Sequence, residues 1–219
     1  MTSAKIIPFN PLDKKNLGAS VAEALVSQQV HPLGSLRPFM GTGIYAVYYR
    51  GNFEAYGPVS EPNRANVDGP IIPIYVGKAV PEGARKGKVT PDPTRSTALF
   101  RRLSEHAASV IATSNLAIED FTCRYLVVDE IWIPLGESLM ISKFSPLWNL
   151  IVDGFGNHNP GKARYAGFRP RWDVVHPGRP WADNCKPREE SADEILREVR
   201  AVLAATVFPS TAHFMGSSE

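Results

Sequence analysis

The sequence predicts an α+β fold: a small mixed three-stranded sheet flanked by helices, with long loop insertions and a C-terminal helix. Three observations lead there. Runs of β-branched and aromatic residues at 43–49 (GIYAVYY), 71–77 (IIPIYVG) and 121–128 (FTCRYLVV) read as strands. Apolar residues recur at helical spacing around and between them. The 17 Gly and 19 Pro in 219 residues exceed the usual share and favour irregular connections over a helix bundle.

The elements follow in order. Residues 16–29 read as a helix, with Asn16 as its cap and Leu17, Val21 and Leu25 on one face. Residues 50–70 carry Gly, Pro and Asn and read as a long loop. Pro73 inside the second strand argues for an edge position or a strand that starts after it. Residues 79–95 read as loop again. A helix at 96–112 has Ser96 as cap and Leu99, Leu103, Ala107 and Val110 as its apolar stripe. A short helix at 136–145 is ended by Pro146, and 149–188 reads as mostly irregular. The last helix, 189–207, has Ile195, Val199, Val202 and Leu203 on one face.

Composition excludes several classes. Lys plus Arg number 24 and Asp plus Glu 22, a net charge of +2, so neither a basic tail nor an acidic solvating segment is present. Cys123 and Cys185 are too few for a disulfide framework or a four-ligand zinc site, and a reducing cytoplasmic setting is the simple expectation. No run suits a signal peptide or a membrane span. The Gly-Lys pair at 77–78 lacks the upstream Gly and downstream Ser or Thr of a phosphate loop. The GTG at 41–43 precedes a strand rather than following one. FGNHN around His158 hints at a nuclease of the His-Asn-His kind, but a single His without partner ligands gives that little support.

One ordered set is far more specific. Gly43-Ile44-Tyr45 opens the first strand, and Tyr75-Val76-Gly77 ends the second. Arg102 and His106 lie four apart on one helix, Glu137 opens the next, and Asn149 follows twelve residues later. The set resembles the GIY-YIG nuclease superfamily, named for those two tripeptides. PIYVGKAVP at 73–81, the Glu-His pair at 105–106, SPLWNLIVDGFGNHNPG at 145–161 and WDVVHPGRPWA at 172–182 are similar to a branch of type II restriction endonucleases that cut the palindrome CCGCGG. The resemblance covers roughly residues 40–185.

The chemistry of the set is readable beside the resemblance. Phosphodiester hydrolysis needs an activated water in line with the leaving oxygen and positive charge on the non-bridging oxygens. Arg102 and His106 share a helix face and are expected to grip one phosphate together. Glu137 offers a hard oxygen ligand, and one carboxylate with waters and substrate phosphate is how Mg²⁺ is usually held. With no second carboxylate in the set, a single-metal site is expected, and the resemblance implies the same. It also implies that Tyr45 is the base. An ordinary Tyr has a pKa of about 10, so a nearby cation must favour its phenolate, and Lys78 is the candidate. Tyr75 would hydrogen-bond phosphate or water, and Asn149 would orient the site. Taken singly, each residue has an ordinary reading as a packing Tyr, a surface Arg, a structural His, a helix-start Glu or a turn Asn. The ordered set explains all six together.

Charge is segregated along the chain. Residues 78–102 hold seven Lys or Arg against two acids, and 159–188 hold seven against two. These windows read as a polyanion footprint. Arg85, Lys86, Lys88, Lys162, Arg164, Arg169 and Arg171 are the expected DNA contacts, though ordinary solvated loops would also look so. The whole chain, 1–219, is expected to be one domain: a core at about 40–150, the helix 16–29, a DNA-wrapping stretch 150–188 and the helix 189–207. A palindromic target implies two copies on one double-stranded site, and the resemblance implies a cognate methyltransferase. Two rivals remain: a homing or repair nuclease of the same superfamily, and a non-catalytic DNA-binding copy of the fold.

Overall fold

The structure is a computed structural model and describes residues 10, 12–81, 93–159, 165–206 and 208. Four strands, β1 (His31–Pro32), β2 (Gly43–Tyr49), β3 (Pro73–Ala79) and β4 (Phe121–Val127), form one sheet in the order β1-β4-β2-β3. Every pairing in it is antiparallel. The α+β class stands, and two details of the expected sheet are corrected. It is antiparallel rather than mixed, and it has a fourth strand. Two residues cannot carry a period-2 pattern, so β1 leaves no signal in the sequence.

Side-chain alternation along β2 sets the layers. Tyr45, Val47 and Tyr49 enter one core, and Ile44, Ala46 and Tyr48 enter the other. A strand buried on both faces must be central, and β2 has β3 and β4 on either side. β3 is the edge, where Pro73 costs no ladder bond.

Seven α-helices are present among the described residues: α1 (Lys14–Val26), α2 (Gly57–Ala65), α3 (Ala98–Ile111), α4 (Ile133–Phe144), α5 (Leu147–Leu150), α6 (Arg171–Val175) and α7 (Ala192–Ala205). α1 and α4 cover the Ile44 face, burying Ala22, Leu25, Ile133 and Met140. α3 and α7 cover the Tyr45 face through Leu99, Leu103, Val110, Ile195, Val199 and Leu203. Asn16 does not cap α1. It lies in the first turn and donates to the Asn10 carbonyl at 2.6 Å. Ser96 accepts from Ala98 N at 3.2 Å, while Thr97 occupies the cap position of α3. α7 opens on a capping box between Ser191 and Glu194, three residues later than expected.

The largest departure is α2, in a stretch expected to be loop. Pro58 sits in its first turn, where its missing N–H is no loss. Asn63 on this helix is buried, accepts from Ile71 N and Ile72 N at 3.0 and 2.8 Å, and donates to the Ile72 carbonyl at 2.8 Å. It thereby fixes the chain that leads into β3. Two prolines in nine residues hid a helix whose anchor is one polar side chain.

The described residues of the 150–188 stretch are largely irregular but firmly tied. Arg179 and Asp173 form a buried ion pair at 2.5 Å, with the guanidinium stacked over Trp172 and Trp181. Arg179 also donates to the carbonyls of Gly154, Phe155 and Asn157 at 2.9–3.1 Å. One side chain thus holds the turn at 154–157. Asp173→Ala strands that guanidinium, and stability is expected to fall by about 3–5 kcal/mol in urea unfolding. A change under 1 kcal/mol would contradict the assignment.

Candidate active site

Register brings the two strand tyrosines together. Tyr45 on β2 faces Gly77 on β3, and Tyr75 faces Val47. Tyr75 is therefore the diagonal neighbour of Tyr45 on the same sheet face, with ring centroids 6.3 Å apart. A Cβ at Gly77 would overlap the Tyr45 phenol oxygen, and one at Gly156 would overlap that of Tyr75. Both glycines are spaces kept for hydroxyls.

α3 crosses the same face and delivers Arg102 and His106. Their i, i+4 spacing puts them side by side, but they do different work. His106 is 1% exposed, stacked on Phe155 at 4.4 Å, and its Nε2 lies 2.6 Å from the Tyr45 hydroxyl. The expectation that both grip one phosphate is corrected: the turn at 154–157 covers His106 and leaves Arg102 at the opening. Arg102 donates to the Gly156 carbonyl at 2.6 Å and to Glu105 at 3.2 Å.

On the opposite face, Lys78 lies across from Ile44 and so points toward α4. Its Nζ meets Glu137 Oε2 at 2.6 Å. Glu137 belongs to the second turn of α4 rather than the first, because the helix begins three residues earlier than expected, with Pro134 in its first turn. Lys78 is thus a partner of Glu137, not of Tyr45. Asn149 on α5 pairs with the edge strand, its Oδ1 accepting from Val76 N and its Nδ2 donating to the Val76 carbonyl, both at 2.8 Å. That amide stands where a neighbouring strand would, and it fixes β3 between Tyr75 and Gly77.

Tyr45, Tyr75, Lys78, Arg102 and Glu137 open on one cleft of about 560 Å³ at the β3 edge, lined also by Arg101, Glu105, Gly156 and His158, while His106 and Asn149 lie behind it. Burial pushes the Tyr45 hydroxyl well above its ordinary range, Tyr75 adds to this, and Arg102 opposes it. Burial holds His106 well below its ordinary range, helped by Arg102. Both members of the Tyr45–His106 bond are therefore neutral around neutral pH. Among the described residues no cluster of three or more His, Cys, Asp or Glu could cage a metal. Two carboxylates line the cleft; Glu105 is engaged by Arg102 and His158, and the donor chemistry at Glu137 fits a hard divalent cation completed by water and substrate oxygens.

Of the expected DNA contacts, Arg85, Lys86, Lys88, Lys162 and Arg164 lie outside the described residues. Arg169 pairs with Asp183 at 3.1 Å. Arg171 donates to the Ile151 carbonyl and to Glu190 and Glu198. The carboxylates at 190 and 198 lie beyond the window in which charges were counted, so the excess there overstated the free charge. Glu105, Gly156 and His158 also line the cleft, and all three lie within the strings at 105–106 and 145–161 that carry the family resemblance.

Strand tyrosines thus face a helix that carries Arg and His, and a carboxylate reaches round the sheet edge. The Eco29kI GIY-YIG domain matches residues 37–203, about three quarters of the chain, and the chain belongs to that family. No curated protein matches it. The chain therefore carries the nuclease domain of a site-specific restriction endonuclease, with DNA as its substrate class. Among the described residues no helix is long and apolar enough to cross a membrane.

Proposed function

We propose that this chain is a type II restriction endonuclease that hydrolyses double-stranded DNA at the palindrome CCGCGG, with Tyr45 as general base and one Mg²⁺ at Glu137. The family supports the target. The observation that carries the base assignment is the 2.6 Å bond between the buried Tyr45 hydroxyl and His106 Nε2. A preformed phenolate is disfavoured there, so the proton moves through a relay. The attacking water gives its proton to the Tyr45 oxygen while Tyr45 gives its own to His106 Nε2; the resulting hydroxide attacks phosphorus opposite the departing oxygen, whose bond to phosphorus breaks and which takes a proton from solvent. Arg102 donates to the non-bridging oxygens, where negative charge builds. Glu137 would hold a Mg²⁺ ion, which would supply further positive charge at the phosphate. Tyr75 hydrogen-bonds the same phosphate or the water, and Asn149 keeps β3 in place.

Two copies act on one palindromic site, each cutting one strand. The cations at 85, 86, 88, 162 and 164 bind phosphates, and the whole chain serves as one domain whose 150–188 stretch lies along the duplex. A cell that makes such an enzyme must protect its own sites, so a cognate methyltransferase is the partner. Comparison of His106→Phe with Lys78→Met on a duplex containing CCGCGG tests the relay. His106→Phe is expected to slow single-turnover cleavage by roughly 10²–10⁴-fold, the usual worth of a proton acceptor. Lys78→Met is expected to cost less than about tenfold, on the scale of one exposed charge contact. The reverse ranking would make Lys78 the group that activates Tyr45.

A further inference from the structure

His158 takes no part in the relay, yet it lies beside Arg102. Its Nδ1 is 3.2 Å from Arg102 Nη1, and its Nε2 is 3.3 Å from Glu105 Oε2. The guanidinium has only N–H donors, so His158 must accept at Nδ1. The imidazole proton then sits on Nε2 and faces the Glu105 carboxylate. Glu105 also accepts from Arg102 at 3.2 Å, which closes a three-membered ring of contacts. The Gly156 carbonyl takes the second Arg102 nitrogen at 2.6 Å. Gly156 lies within the turn that Arg179 holds, and His158 directly follows it. Arg102 is therefore fixed on its outer side by two chain segments, leaving its inner side to the phenols and the phosphate.

We propose that Glu105 and His158 are positioning residues that hold the Arg102 guanidinium in line with the phosphate, and that neutral His158 is the form that holds it. This rests on the nuclease reading above. Protonated His158 would present an N–H to the Arg102 N–H and release it. Burial pushes His158 below its ordinary value, Arg102, Arg179 and Arg101 push the same way, and Glu105 opposes them. The clamp is thus intact at neutral pH and is lost as pH falls below the ordinary His range of about 6.5. Tyr45 is pushed up and away from that window, whereas His106 is pushed down as His158 is, so the His158→Asn comparison, and not the acid decline alone, separates the two histidines.

A double-mutant cycle with a pH profile tests the clamp. His158→Ala is expected to slow single-turnover cleavage by roughly 10–100-fold, the cost of a misplaced group about 1 Å out of line. DNA affinity should change little. His158→Asn offers an acceptor that cannot be protonated, so it should recover most of the lost rate and keep it in mild acid, where wild type declines. In an Arg102→Ala background, His158→Ala should cost nothing further. Additive losses, or an acid decline unchanged in His158→Asn, would overturn the clamp alone. A wild-type cleavage rate in Arg102→Ala would overturn the role of Arg102 and the clamp with it, whereas no cleavage by the unmutated chain would overturn the nuclease reading.

Discussion

Tyr45→Phe is expected to reduce single-turnover cleavage by roughly 10²–10⁴-fold while leaving DNA affinity nearly unchanged. Only a hydroxyl is removed, and the phenyl ring keeps its place in the core. Among the described residues that hydroxyl is the cleft group bonded to His106, so its loss cuts the route by which the water's proton leaves. Folding is expected to suffer too, by about 1–3 kcal/mol, because His106 Nε2 is buried and loses its partner. Cleavage and unfolding respond to different parts of the same bond. Near-normal cutting by a variant measurably less stable would leave the bond structural and require another base.

Glu137→Gln is the second large effect. It preserves the shape of the side chain and removes the only carboxylate assigned to Mg²⁺. Cleavage should fall by about a thousandfold, matching the several kcal/mol of charge stabilisation that a bound metal supplies. DNA binding should persist, because Lys78 is released from its 2.6 Å pair with Glu137 and stays available to phosphate. A binding module without catalysis would be indifferent in both assays. Full cutting by the variant would place the metal elsewhere.

Much of this site is legible in the sequence because it is anchored to regular elements. The strand at 43–49 has the bounds its β-branched and aromatic run predicts, and α3 carries the predicted apolar stripe. Those two elements alone bring Tyr45 to the face that α3 covers. What is not legible depends on chain-distant polar contacts. The role of Lys78 turns on which sheet face it points to, and register decides that. The burial of His106 depends on Phe155 stacking on it, from a turn 49 residues downstream that Arg179 holds. His158 stands out in the sequence only as an isolated His, because its partners lie on a helix more than fifty residues earlier. α2 escaped because its two prolines outweigh a weak periodicity, while the buried Asn63 that secures it resembles any loop Asn.

The central claim is metal-dependent, sequence-specific hydrolysis, and digestion of plasmid DNA by the purified full chain tests it most directly. The digestion is run with Mg²⁺ and with EDTA, and the fragment ends are sequenced. Discrete fragments that end within CCGCGG, formed with Mg²⁺ and abolished by EDTA, are the predicted result. Intact plasmid under both conditions, with the protein bound to it in a gel shift, would contradict the account and leave a DNA-binding copy of the fold.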